Sequence, residues 1–344
     1  MPSGIETTIV LLCWVYVGGL VTWIVCRLTL ADRFRVLFFV NSLGHLFFLP
    51  APAVLLVAAA AGNEGLAVAG VLVTLVCLYL WAPPLATLAM RRRKPPAGPT
   101  LRVATYNLLW VNTDEDAAIA SIRALEADVV ALQEVSPAHA NAIGSGLHAD
   151  YPYWVLQPGY EAYGNGLISR LPFAQSADAL PDPDWIGDPI IATLAFDGGD
   201  ITIISCHTAP VRTPADARER QARALVAYAR DLGRPCIVLG DFNSTPLNEA
   251  YSILRRGLRD VWRDAGRGLG HTFPGPAWSH ARGDGLPRPL RRFIPHWLLR
   301  IDHVFVTAHW RAVSARVSHQ HGGSDHRPVV ADLVLQWPDS ATRT

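Results

Sequence analysis

The distribution of apolar and polar positions divides the chain in two. Up to Met90, Leu, Val, Ala and Phe dominate and charges are confined to short gaps; from Leu101 onward, short apolar runs alternate with polar segments. Three early stretches, Thr8 to Thr29, Val36 to Ala61 and Leu66 to Met90, each approach the ~20 residues that a helix needs to cross a ~30 Å hydrocarbon core. They lack the polar face of helices packed into a soluble core. The opening residues, MPSGIETT, carry no base, and two further apolar spans follow the first, unlike a cleaved secretory signal. Retained membrane helices are therefore expected, about three of them. Pro50, Pro52, Asn41 and His45 mark the second as kinked or re-entrant.

Beyond Leu101, runs rich in β-branched residues predict strands at Leu101 to Tyr106, Val129 to Leu132, Ile201 to Ser205, Cys236 to Leu239, His303 to Val306 and Pro328 to Leu335. Glu115 to Leu125 and Ala215 to Leu232 carry the 3.6-residue apolar spacing of helices, the second introduced by Thr213-Pro214. Strands interleaved with helices imply two packed sheets flanked by helices, an α+β or α/β sandwich. Residues 1–94 thus read as a multi-pass segment of a plasma-membrane protein. Residues 95–100, around Pro95-Pro96-Ala97-Gly98-Pro99, read as a short stiff tether, and 101–344 as a separate globular body.

Charge refines this picture. Seven of the 30 Lys and Arg and three of the 29 Asp and Glu precede Leu101, leaving 23 bases against 26 acids in the body, a balance of −3. This is not the broad basic footprint of a protein that grips duplex nucleic acid, so nucleic acid is a possible but disfavoured partner. Arg27, Arg33, Arg35 and the run Arg91 to Lys94 bias the body toward the cytoplasmic face. Cys206 and Cys236 lie in apolar strands and read as buried thiols.

Polar residues recur where these strands end: Asn107, Glu134, His207, Asp241, Asn243, Asp302, Asp325 and His326. Singly, each has a structural explanation, such as a turn or a helix cap. Together, the carboxylates and amide oxygens suit Mg²⁺ or Mn²⁺, hard ions that keep several waters and take substrate phosphate oxygen. A zinc site is disfavoured, because neither His-Glu-x-x-His nor paired Cys/His spacing occurs, and there is no Walker-type phosphate loop.

The order and context of Thr105-Tyr106-Asn107, Leu132-Gln133-Glu134, Ser205-Cys206-His207, Gly240-Asp241-Phe242-Asn243, Ile301-Asp302-His303 and Ser324-Asp325-His326-Arg327-Pro328 resemble the endonuclease/exonuclease/phosphatase (DNase I-like) superfamily over Leu101 to Gln336. The resemblance implies a four-layer αββα sandwich with its site at the top of two sheets. It implies Glu134 as principal metal ligand, with Asn107 and Asp325 assisting. Asp241 and Asn243 would orient and activate water and bind phosphate, and His326, oriented by Asp302, would hydrogen-bond a phosphate oxygen. His207 matches the histidine of the DNase- and sphingomyelinase-like branches. Within Gly164 to Arg170, a similar segment brings a polar side chain toward the site, and Arg170 is the candidate phosphate contact.

A multi-span segment followed by this domain also resembles the VanJ-type bacterial glycopeptide-resistance proteins. That architecture implies a lipid-linked or polyprenyl phosphate substrate and an extracytoplasmic body, against the charge bias. The irregular segment Gly266 to Arg300 interleaves Arg288, Arg291, Arg292 and Arg300 with Phe293, Ile294, Trp297 and Leu298. It suits either a lipid headgroup interface or aromatics packed onto the body. A tethered nuclease and a non-catalytic module that keeps the fold are the competing readings, and no protein partner is expected.

Overall fold

The computed structural model describes residues 4–89, 97–176, 178–214, 216–279, 291 and 293–337. The first part is a bundle of helices α1 (Gly4–Leu30), α2 (Arg35–Ser42), α3 (Gly44–Phe47), α4 (Ala51–Ala61) and α5 (Glu64–Ala89). Three spans, Gly4–Leu30, Gly44–Ala61 and Glu64–Ala82, are long and apolar enough to cross a membrane. Trp23, Phe48, Val54, Leu66 and Val73 pack inside the bundle, while Leu11, Leu12, Leu28, Leu56, Val68 and Leu72 face outward. An apolar exterior on this scale is costly in water and suits lipid. The second expected span is broken, as its Pro50 and Pro52 foretold. The helix stops at Ser42 and again at Phe47, and Asn41 turns inward, accepting a hydrogen bond from Trp23 Nε1 at 3.0 Å.

The described residues of the body include twelve strands. These are β1 (Thr100–Asn107), β2 (Val129–Gln133), β3 (Tyr153–Gln157), β4 (Asn165–Ser169), β5 (Phe173–Gln175), β6 (Ile190–Phe196), β7 (Gly199–His207), β8 (Cys236–Asp241), β9 (Arg259–Asp260), β10 (Asp302–Val306), β11 (Trp310–Val317) and β12 (Val329–Leu335). They form two six-stranded sheets, ordered β11-β12-β1-β2-β4-β3 and β5-β6-β7-β8-β10-β9. Each sheet is antiparallel except at one central pair, β1 with β2 and β7 with β8. Those two parallel pairs need crossover helices, supplied by α6 (Glu115–Ala124) and α8 (Ala217–Asp231). Helices α7 (Pro137–Gly146), α9 (Glu249–Gly257) and α10 (Val261–Ala265) complete the set.

Period-two alternation builds the layers. In β2, Val129 and Ala131 enter the apolar layer between the sheets, and Val130 and Leu132 pack with Ile119 and Ile122 of α6. In β8, Ile237 and Leu239 face the same central layer, while Cys236 and Val238 pack with Leu225 and Leu254 of the helices opposite. Strands buried on both faces read as continuous apolar runs, which is why these were predictable. The outcome is the expected αββα sandwich, and Cys206 and Cys236 are buried free thiols within it.

Candidate active site

Register brings the strand-end residues to one edge. Asn107 pairs with Gln133 across β1 and β2, Gln133 with Asn165 across β2 and β4, His207 with Asp241 across β7 and β8, and Asp302 with Asp241 across β10 and β8. The central layer therefore ends in a polar pocket roofed by the loops that follow the strands. Glu134 and Asn243 adopt φ of +56° and +44°, left-handed conformations that cost non-glycine residues energy and cluster at functional sites. Gly240, at φ +157°, lies against the Cys206 backbone, where a Cβ would collide with its carbonyl oxygen. That absence of a side chain lets β7 and β8 close just before Asp241.

Asn107 Nδ2 donates to Glu134 Oε1 and to Asp241 Oδ2, each at 3.1 Å, and its Oδ1 accepts from Leu109 N at 3.0 Å. Its nitrogen, not its oxygen, thus faces the carboxylates. Asn107 therefore bridges the two carboxylates as a donor, while its oxygen, which accepts from the turn at Leu109, keeps a second lone pair. Trp110 N donates to the second Glu134 oxygen at 3.0 Å. Asn243 N donates to Asp241 Oδ1 at 2.8 Å and its Nδ2 to Thr208 O at 2.9 Å. His207 Nε2 lies 3.4 Å from Asp241 Oδ2.

His326 Nδ1 donates to Asp302 Oδ2 at 2.9 Å, which leaves Nε2 facing Asp241 Oδ2 at 3.7 Å. Burial alone would lower the pKa of this imidazole, but the Asp302 and Asp241 carboxylates outweigh it and raise it to about 10. Asp241 is likewise opposed by burial, yet His326 and His207 hold it well below the usual carboxylate range. Burial raises Asp302 despite its imidazole partner. Asp325 is pushed up to about 7 by burial, His326 partly opposing, with Glu134 and Asp241 adding repulsion. The site thus gathers four carboxyl groups, Glu134, Asp241, Asp302 and Asp325, against the two imidazoles of His207 and His326.

A divalent cation would relieve that surplus, and the donors fit one. Asp241, Asp302 and His326 each offer an atom within 4.8 Å of the others. In that trio, His326 Nδ1 and Asp302 Oδ2 already satisfy each other at 2.9 Å. Glu134 repels the Asp325 carboxylate, and paired carboxylates are the donors that a hard ion takes.

Arg170 is not part of this pocket. β4 runs antiparallel to β2, with Asn165 opposite Gln133 and Ser169 opposite Val129, so Arg170 leaves the sheet at its far end. There it is exposed and its guanidinium stacks 5.4 Å from the Tyr151 ring centre. The polar group that the segment brings to the site edge is Asn165, fully buried, with Nδ2 donating to Ile186 O and Asp188 O. Its alternation with Gly164 and Gly166 was the available signal. Phe273 is a second unforeseen neighbour, its ring centre 4.8 Å from that of His326. Of the described part of the irregular segment, Phe293 is exposed while two of its arginines turn inward. Arg291 is buried against Trp278 and Arg300 is buried with Asp260, so neither meets lipid phosphate; Arg288 and Arg292 lie outside the described residues.

Residues 104–326 match the Endonuclease/Exonuclease/phosphatase family. No curated protein matches the chain. Among solved structures, an endonuclease/exonuclease/phosphatase from Beutenbergia cavernae is 25% identical, over 69% of this chain and 72% of that one, with a TM-score of 0.50. One from Bacteroides vulgatus is 22% identical over 69% and 100%, TM-score 0.53. The D. rerio TDP2 complexed with single-strand DNA product is 19% identical over 68% and 98%, TM-score 0.55; these last two speak for the fold alone. With two thirds of its length matched and the pocket assembled on the shared sandwich, the chain belongs to the endonuclease/exonuclease/phosphatase family and is a metal-dependent phosphoester hydrolase.

Proposed function

We propose that this protein is a membrane-anchored hydrolase of lipid-linked phosphoesters, with Mg²⁺ or Mn²⁺ held by Glu134 and Asp325. The observation that carries the reading is that bundle and site share a wall. Thr87 of α5 donates to Gly268 O at 3.0 Å, the rings of His45 and His271 lie 6.4 Å apart, and His271 Nδ1 contacts Trp297 O at 2.8 Å. Phe273, two residues on, packs on His326. A pocket one wall away from lipid-facing helices suits a substrate whose tail stays in the bilayer.

When bound, the ion neutralises phosphate charge and polarises a phosphoryl oxygen. Asp241 stays ionised and accepts a hydrogen bond from the attacking water, while Asn107 and the Asn243 backbone fix its two oxygens. Asn243 contacts phosphate. His326 presents Nε2–H to a phosphate oxygen or the departing alkoxide, and Asp302 fixes its tautomer. His207 steadies Asp241 at the same oxygen, Oδ2, that His326 faces.

Arg27 and Arg35 lie at the end of the bundle that meets the body, which supports a cytoplasmic active site; the VanJ-type architecture supports the opposite face. A reporter fused after Thr344 decides between them. A second reading, a tethered nuclease, draws on the neighbour solved with DNA product, but the body's charge of −3 counts against it. Full-length protein in detergent with Mg²⁺, assayed on a polyprenyl diphosphate, a bis-aryl phosphodiester and plasmid DNA, tests the proposal. Cleavage of the lipid in preference to DNA is expected. Plasmid nicking with an intact lipid would establish the nuclease reading instead.

A further inference from the structure

The corner between α1 and α2 does more than join two helices. Asp32, just past α1, is 4% exposed although ionisable. Its Oδ2 accepts from Glu249 N at 2.6 Å, the first residue of α9. Its Oδ1 accepts from Asn41 Nδ2 at 2.7 Å and from Asn248 Nδ2 at 3.3 Å. A carboxylate from the apolar bundle therefore caps a helix of the catalytic body, where free N–H groups and the helix dipole favour negative charge.

Asn248 links that cap to the chemistry. Its Oδ1 accepts from Thr245 N at 2.7 Å and Thr245 Oγ1 at 2.8 Å, and lies 3.1 Å from Ser42 Oγ of the bundle, whose single proton is shared between it and Phe38 O at 2.8 Å. Its Nδ2 also donates to Phe38 O at 3.3 Å, and Arg27 donates to Leu247 O. Residues 245–249 are thus held to the bundle two residues after Asn243, whose backbone and that of Gly240 fix the orientation of Asp241. The loop after His207 rests on the same corner. Arg218 stacks 4.0 Å from the Phe38 ring centre and donates to Pro210 O at 2.8 Å, and Thr208 O receives Asn243 Nδ2. The far side of Asn243 has its own support, His303 Nε2 donating to Ser244 O at 2.9 Å.

We propose that Asp32 is a positioning residue for the catalytic loop Asp241–Asn248, so that docking of the α1–α2 corner sets turnover rather than merely tethering the enzyme. This rests on the assignment of Asp241 and Asn243 to the reacting centre. Phosphoryl transfer depends on alignment to within fractions of an ångström, and every bond described here fixes one end of a loop that bears two of the aligned groups. Asp32→Asn is the sharpest probe. It keeps the shape and one acceptor oxygen but turns an amide nitrogen toward a backbone N–H.

The test uses full-length protein in lipid nanodiscs with Mg²⁺ and bis(p-nitrophenyl) phosphate. Asp32→Asn is expected to lower kcat about tenfold with KM within twofold, and to speed amide exchange in peptides covering 242–250 about tenfold or more, leaving those of β1 and β2 unchanged. A selective loss of kcat is what a general weakening of the fold would not give. Should Asp32→Asn fail to fold, Ser42→Ala removes a single hydroxyl from Asn248 and carries the same test, with a two- to fourfold loss expected. Unchanged kcat with either accelerated or unaltered exchange overturns the positioning role. A parent protein inert toward the diester overturns instead the assignment of the site, and exchange over 242–250 still decides whether Asp32 holds the loop.

Discussion

Two buried clusters of charge lie close together in this fold and differ in balance. Around Asp260 the groups close on themselves. Arg300 donates to both carboxylate oxygens at 2.9 and 3.3 Å and to His303 Nδ1 at 3.0 Å, and the Tyr251 hydroxyl donates to Asp260. Burial, then Arg300, pushes His303 down to about 3, so it stays neutral. Burial would raise Asp260, but Arg300 holds it below the usual range. Around Asp241, by contrast, Glu134, Asp302 and Asp325 join a fourth carboxylate against two imidazoles, and Asp325 is left with a pKa of about 7. The first cluster is complete as a piece of protein. The second carries a surplus of carboxylates that a cation would neutralise, which is how a binding site differs from a structural ion pair.

Breaking that contrast at its strongest point means removing the metal. Chelation should lower turnover at least ~10³-fold, since the ion supplies several kcal/mol of charge stabilisation. Mg²⁺ should restore it, and circular dichroism should not change. Residual turnover above a tenth of the starting rate would refute the cation's role. Next in size is Arg300→Met, which strands Asp260 and should cost about 3–5 kcal/mol of stability. Asp260→Leu with Arg300→Met should recover most of that loss, measured by chemical denaturation. The sign with pH follows from a depressed carboxylate: its contribution is present above ~4 and lost as pH falls toward the folded value. The gap between parent and Arg300→Met should therefore narrow below about pH 4.

Glu134→Ala, Asp241→Ala and His326→Ala should each cut turnover more than ~10²-fold, about 2.7 kcal/mol, as interactions made mainly in the transition state do. Their melting temperatures should stay within a few degrees of the parent, unlike that of Arg300→Met. Rates within a few-fold of the parent in all three would end the catalytic assignment.

The sequence displayed the site better than its setting. Strands β1, β2, β7, β8, β10 and β12 are buried on both faces, so their apolar runs stand out, and the polar last or first residues of all but β12 mark one edge. Edge strands were hidden. β3 exposes Tyr153 and Trp154, and β5 and β9 span three and two residues, too short for any period. Arg300 could not be recognised as a core residue because its partner Asp260 lies 40 positions earlier. The grip of Ser42 on Asn248 spans 206 positions, and only coordinates reveal such a contact. Asn107 was legible as a site residue, but the direction of its amide depends on the local turn at Leu109.

The smallest expected effect concerns the one candidate that the fold moved away. Gly164 to Arg170 contains two polar side chains able to meet phosphate, Asn165 and Arg170, and β4 has two ends. Pairing with β2 decides the matter, because Asn165 stands beside Gln133, next to Glu134, whereas Ser169 stands beside Val129. Four residue steps of about 3.4 Å each separate those ends, so even an extended guanidinium at Arg170 does not reach the pocket. Its visible work is local, over Tyr151, where exposed cation–π contacts contribute about 0.5–1 kcal/mol. Arg170→Ala should accordingly leave kcat/KM within twofold while lowering stability by no more than that amount. A tenfold fall in kcat/KM with unchanged stability would mean that phosphate is drawn across the sheet from its opposite end, and the contrast between a cation-seeking pocket and a self-contained framework would have to be redrawn.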